Sequence, residues 1–241
     1  MVPKLLVSVR NAEEAEAAVA GGCDILDIKE PSRGSLGRAD KATILDILNT
    51  LGPDAPPVSA ALGELRDFHD SPMTASIPPG LAYVKLGLAG CATFPHWQNR
   101  WIDIQTILAG QSVNPPQWAS VIYADTDHAK APSVRQIYNA TNYHSKITLV
   151  DTFSKDGRSL TDVMTPTELR GLQRGLGRPP WGDRQLALAG SLTLESLPKL
   201  ADVPCDILAI RTAACRNGDR NGPICSDAIR RFKDAIHTVF S

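Results

Sequence analysis

A short apolar, β-rich run recurs eight times along this chain, and that recurrence narrows the possible folds more than any other feature. The runs are Leu5–Val9, Ile25–Lys29, Pro57–Leu62, Tyr83–Leu88, Trp118–Ala124, Lys146–Phe153, Gln185–Leu192 and Asp206–Ala213. Most are continuously apolar and do not alternate, which suits strands covered on both faces of a parallel sheet. Helical signals lie between them. Asn11-Ala-Glu-Glu14 is a capping-box-like start, and Gly21-Gly22 a stop. Asp40 opens a second helix with Ile44, Leu45, Ile47 and Leu48 at helical spacing. Thr165-Pro166-Thr167-Glu168 combines an N-cap, a proline at the first helical position and a glutamate at the third. Ser226 opens a last helix whose Ile229, Phe232 and Ile236 share one face. Eight strand–helix units in 241 residues predict a single α/β domain over 1–241, folded as a (β/α)8 TIM barrel. The competing open doubly wound sheet lacks its usual support, since no Gly-x-Gly-x-x-Gly follows the first strand. The proline- and tryptophan-rich stretch 93–118 reads as an elaborated helix and loop.

Composition excludes several classes of function. A formal net charge of −1 provides no basic field for nucleic acid or an anionic membrane. The five cysteines form no Cys-x-x-Cys pair, as expected of free thiols in a reducing compartment. Cys23 and Cys205 read as buried structural thiols, and Cys215 has no paired base to make it a nucleophile. The apolar run near the N-terminus is too short for a signal peptide, and no stretch approaches the roughly 20 apolar residues of a membrane span. A cytoplasmic protein is expected. His69, His96, His128, His144 and His237 show no metal-ligand spacing, so no metal is expected. Barrels often form homo-oligomers, but no sequence feature assigns an interface here.

In this fold the active face is built from the strand C-termini and the loops after them. Strand two ends in Asp27-Ile28-Lys29, strand four carries Lys85, strand six ends in Asp151 with Lys155 four residues on, and strand eight carries Arg211. Asp27 and Lys29 are two apart, so both face one side of the strand while Leu26 and Ile28 face the helices. One lysine at a strand end is most often solvated or salt-bridged. Several lysines and acids drawn to one mouth point to chemistry instead. A lysine crowded by cations and partly desolvated loses basicity, and its neutral amine can attack a carbonyl to form a Schiff base. A second lysine or a carboxylate can then move protons beside the imine.

Phosphate binding is the second signal. The loops after strands seven and eight hold phosphate in many barrels. Here they carry Gly190-Ser191 and Arg211-Thr212-Ala213, the latter followed by the Arg216–Arg220 loop. Small residues let backbone N–H groups approach an anion. Arg33, in the glycine-bearing loop after strand two, is a further candidate. The same glycines also suit plain turns.

These residues carry a family resemblance. Leu-Leu-Val-Ser-Val near the start, the segments 21–37, 83–88, 149–157 and 188–192, and Arg-Thr-Ala-Ala-Cys-Arg-Asn-Gly-Asp-Arg at 211–220 resemble the (5-formylfuran-3-yl)methyl phosphate synthases of methanofuran biosynthesis. The likeness spans nearly the whole chain and is weakest over 93–145. It implies a barrel related in chemistry to class I aldolases. Two molecules of glyceraldehyde 3-phosphate would condense to a furan aldehyde phosphate, releasing phosphate and water, with no cofactor. It also implies that Lys29 forms the Schiff base, that Lys85 accepts a proton, and that Asp27, Asp151 and Lys155 assist. Two other readings stay open: a Schiff-base aldolase of the deoxyribose-phosphate type, and a barrel that binds a phosphorylated metabolite without catalysis.

Overall fold

The computed structural model describes residues 1–68, 77–141, 145–176 and 184–241. Eight parallel strands close into a barrel in chain order: β1 Lys4–Val9, β2 Ile25–Ile28, β3 Val58–Glu64, β4 Tyr83–Gly87, β5 Gln117–Tyr123, β6 Ile147–Asp151, β7 Gln185–Leu188 and β8 Ile207–Ile210. The barrel closes by pairing of β1 with β8, in the register Lys4↔Ile207 to Val7↔Ile210. Around it run helices α1 Ala12–Ala20, α2 Lys41–Thr50, α3 Trp97–Ala109, α4 Thr126–Ala129, α5 Val134–Thr141, α6 Leu160–Val163, α7 Pro166–Leu176 and α8 Ser226–Phe240. The outer layer is uneven: between β7 and β8 the chain makes a 3-10 helix, Leu194–Leu200, that accommodates Pro198.

Local signals explain the helix starts. The Asn11 side chain accepts from the Glu14 backbone N–H at 2.9 Å. The Thr165 hydroxyl accepts from Glu168 N–H, and the Glu168 carboxylate accepts in return from Thr165 N–H at 2.7 Å. This is the reciprocal cap its sequence predicts. Three expected strands end two or more residues early. The run through Leu192 stops at Leu188 because Gly190 (φ 102°) and Ser191 (φ 49°) leave extended geometry. The run through Ala213 stops at Ile210, where Thr212–Ala214 tighten into a 3-10 turn. The run to Phe153 ends at Asp151.

The barrel has two apolar compartments. Between strands and helices, Leu26, Ile28, Val84, Leu86, Ile229, Phe232 and Ile236 join one continuous core. There Trp101 meets Trp118 edge-on at 6.0 Å, so these rings are packing elements. Inside the barrel, Leu6, Ile25, Ala119, Ile147, Ala187 and Ile207 fill the lower layer, and Ala61, Ala189 and Ala209 lie with Leu149 toward the mouth. The alanines matter for function, because they leave room for long lysine side chains. Among the described residues no helix is long and apolar enough to cross a membrane.

Candidate active site

Period-two alternation on β2, β4 and β6 turns Asp27, Lys85 and Asp151 inward, and Lys29 follows in the same phase just past the end of β2. All four are less than a tenth exposed. With Lys155, Gly190, Ser191, Arg211, Thr212 and Arg220 they line one pocket at the strand C-termini.

Lys85 Nζ donates to Asp27 Oδ1 at 2.6 Å, and the Ser8 hydroxyl donates to Asp27 Oδ2 at 2.9 Å. That hydroxyl reaches Asp27 because β1 and β2 pair Ser8 with Asp27. Lys155 Nζ donates to Asp151 Oδ1 at 3.1 Å and to the Thr152 carbonyl and hydroxyl oxygens. Lys29 is held differently. Among the described residues its Nζ makes one long hydrogen bond, 3.5 Å to the Ser35 carbonyl. Burial pushes the Lys29 amine down to about 7; Asp151 and Asp27 oppose the shift, and Arg220 and Lys85 reinforce it. A large fraction of this amine is therefore neutral and nucleophilic near pH 7. Burial raises the Asp151 carboxyl, but Lys155 and Lys29 outweigh it and hold Asp151 below the usual range.

Further residues frame this cluster. The loop after β2 folds over the mouth: Leu36 is buried among the interior residues, and the Ser35 hydroxyl reaches Asp151 Oδ2 (3.2 Å) and the Thr152 carbonyl (3.0 Å). Asp125 accepts from the backbone N–H groups of Phe153 (2.6 Å) and Ser154 (2.8 Å), fixing the loop that carries Lys155. Glu64 accepts from the Tyr123 hydroxyl and from Ala89 N–H, joining the ends of β3 and β5. Burial raises both the Glu64 carboxyl and the Tyr123 phenol. Asp125 and Ser35 carry no local motif, since their partners are brought in by the barrel.

The expected phosphate residues divide. Gly190 lines the pocket, and a Cβ there would lie 2.9–3.0 Å from Thr152, so only glycine fits. Arg211 also lines it, but its donors are already in use. They reach Glu14 twice and the carbonyls of Ser8, Arg220 and Gly222. In this structure Arg211 is held as a structural tie at the edge of the pocket. Arg33 is not among the residues lining this pocket: it pairs with Asp40 at 2.8 Å and 3.0 Å, half exposed, in a neighbouring cleft with Arg38 and Lys41. Ala213 does not line the pocket; the tight Thr212–Ala214 turn leaves only Thr212 facing it. Burial raises the Cys215 thiol above its ordinary value, against use as a nucleophile. His69 and His144 lie outside the described residues. Among the described residues no group of three or more His, Cys, Asp or Glu is placed to hold a metal.

A closed (β/α)8 barrel with a buried lysine–carboxylate cluster at its strand C-termini is the architecture of an α/β-barrel enzyme. The chain belongs to the 4-HFC-P synthase family, whose model matches residues 5–233. It is 33% identical to the (5-formylfuran-3-yl)methyl phosphate synthase of Methanothermobacter thermautotrophicus, over 96% of this chain and 98% of that one. It is 32% identical to the enzyme of the same name from Methanobrevibacter smithii, over 95% and 97%. Among solved structures, KGPDC from Streptococcus mutans shares the fold, with a TM-score of 0.57 at 12% identity over 100% of both chains.

Proposed function

We propose that this chain condenses two molecules of glyceraldehyde 3-phosphate into (5-formylfuran-3-yl)methyl phosphate, with loss of inorganic phosphate and water, in the biosynthesis of methanofuran or a related one-carbon carrier. The observation that carries the reading is Lys29, buried at the barrel mouth with its amine pushed down to about 7 and bound by a single long contact. The names of the relatives support the product.

In this reading the neutral Lys29 amine adds to the carbonyl of one triose phosphate, and water leaves as the imine forms. Removal of the proton on the adjacent carbon gives an enamine, with Lys85 and Asp27 passing that proton between them. The enamine carbon bonds to the aldehyde carbon of the second molecule. Lys155 and Asp151 stand on the opposite wall and serve the proton transfers that accompany phosphate elimination, ring closure and dehydration. Release of the product by water restores the free amine.

The test is incubation with glyceraldehyde 3-phosphate, following phosphate release and furan-aldehyde absorbance together. An open-chain aldol product would give no such absorbance, and a binding protein would release no phosphate. Borohydride trapping followed by peptide mass spectrometry is expected to mark Lys29. A mark on Lys85 or Lys155 would reassign the imine.

A further inference from the structure

Most cations lining the pocket already have a partner. Lys85 is paired with Asp27, Lys155 with Asp151, and Arg211 with Glu14. Arg220 is different. Its Nη2 is buried and has no hydrogen-bond partner among the described residues, although the residue lines the same pocket as Lys29, Gly190, Ser191 and Thr212. Asp151, the carboxylate that acts on it electrostatically, is already held by Lys155 at 3.1 Å. A buried guanidinium N–H without an acceptor is costly, and a bound acceptor removes that cost.

The loop that presents Arg220 is held by other residues. Its own backbone carbonyl accepts from Arg211 Nε at 3.1 Å. The Asn221 carbonyl accepts from Arg10 Nη1 at 2.6 Å, and the Gly222 carbonyl accepts from both Arg10 and Arg211. Glu14 holds the two arginines together. The Arg220 backbone is thus fixed and its side chain is left for a ligand. Burial lowers the basicity of this guanidinium, as expected where solvent is largely excluded. In such a place a dianion is recognised more strongly than at an exposed arginine.

We propose that Arg220 is the anion ligand of the catalytic pocket, receiving the phosphate ester of an aldehyde whose carbonyl faces Lys29. The carbonyl half of this statement rests on the imine reading above; the anion half stands without it. Gly190 and Ser191 line the same pocket, and both take positive φ there (102° and 49°), in the loop after β7. Arg220, not Arg211, thereby carries the selection for phosphorylated aldehydes.

The test has two arms. In the first, inorganic phosphate is titrated into the protein at fixed ionic strength by calorimetry. Arg220→Met is expected to weaken binding at least about tenfold, the loss of one charge-assisted hydrogen bond. Arg220→Lys retains part of the affinity. Arg216→Gln, at an exposed position of the same loop, leaves it unchanged. In the second arm, borohydride traps glyceraldehyde 3-phosphate or unphosphorylated glyceraldehyde on the protein. Arg220→Met is expected to abolish the advantage of the phosphate ester while glyceraldehyde trapping stays near the wild-type level. Wild type that binds no phosphate, or Arg220→Met that binds it as tightly as wild type, overturns the anion site. An equal loss of trapping with both aldehydes also overturns it, because Arg220 would then act on Lys29 and not on phosphate. Phosphate binding that depends on Arg220 with no trapped lysine leaves the anion site standing and removes the imine reading. Melting curves check that each variant is folded.

Discussion

Lys85 and Arg211 are both buried beside a carboxylate at the mouth of one barrel, yet their surroundings differ. Arg211 places its donors on Glu14 and on three backbone carbonyls, and Glu14 also receives Arg10 through side chain and backbone. Burial raises the Glu14 carboxyl, but Arg211 and Arg10 outweigh it and hold Glu14 low. Lys85 has Asp27 as its hydrogen-bonded partner, and its neighbour Lys29 has one long contact to a carbonyl. A planar five-donor guanidinium matched by acceptors is a structural tie. Ammonium groups with unused donors, facing a cavity, are available to a ligand. The number of donors left over separates the two clusters better than charge or burial does.

The largest effect that would set the two clusters apart is expected at Lys29. Lys29→Met should abolish borohydride trapping and turnover while leaving the fold intact. Its stability should exceed that of wild type at low pH. The folded pKa of Lys29, about 7, lies below its ordinary value, so protonating it costs stability at and below pH 7. That cost fades as pH rises toward the ordinary lysine value of about 10.4. Denaturant melts across this range should show the advantage of Lys29→Met shrinking with pH, and wild-type trapping should rise as pH passes through about 7.

Glu14→Gln probes the other cluster and should give the opposite result. Leaving Arg211 buried without its carboxylate should cost about 3–5 kcal/mol in chemical denaturation. Trapping at Lys29 should survive wherever the variant is folded. A neutral outcome would mean that Arg211 is not a tie and would reopen it as an anion ligand.

Asp125→Asn tests positioning without touching the pocket. An amide cannot accept both N–H groups of Phe153 and Ser154 as the carboxylate does. The Lys155 loop should loosen and turnover fall by about tenfold to a hundredfold, with the affinity for phosphate retained. The smallest effect is expected at Arg33→Ala. Exposed ion pairs such as Arg33–Asp40 are screened by solvent and contribute little, so stability and turnover should stay close to wild type.

The barrel and the cluster of Asp27, Lys29, Lys85, Asp151 and Lys155 are legible in the chain. Strand runs announce themselves by apolar continuity, and alternation within β2 already puts Asp27 and Lys29 on one side. The anion ligands are less legible. Arg211 and Arg220 stand in one loop motif and look equivalent in sequence, yet of the two it is Arg211 that meets Glu14, nearly two hundred residues away. Arg33 reads as a phosphate candidate in sequence, but Asp40, seven residues on, takes its guanidinium. Asp125 gives no sequence signal, and the pairing of Ser35 gives none, because their partners Phe153, Ser154, Asp151 and Thr152 lie on another strand's loop.

The strand runs, helix starts and the identity of the inward-facing side chains follow from the chain alone, since each depends on residues within a few positions of one another. How those inward charges pair follows from closure of the barrel. Closure sets Lys85 on Asp27 and Arg211 on Glu14, and leaves Lys29 and Arg220 facing a shared cavity with donors to spare. Pairing is a property of distance across strands, and burial makes each unpaired donor count.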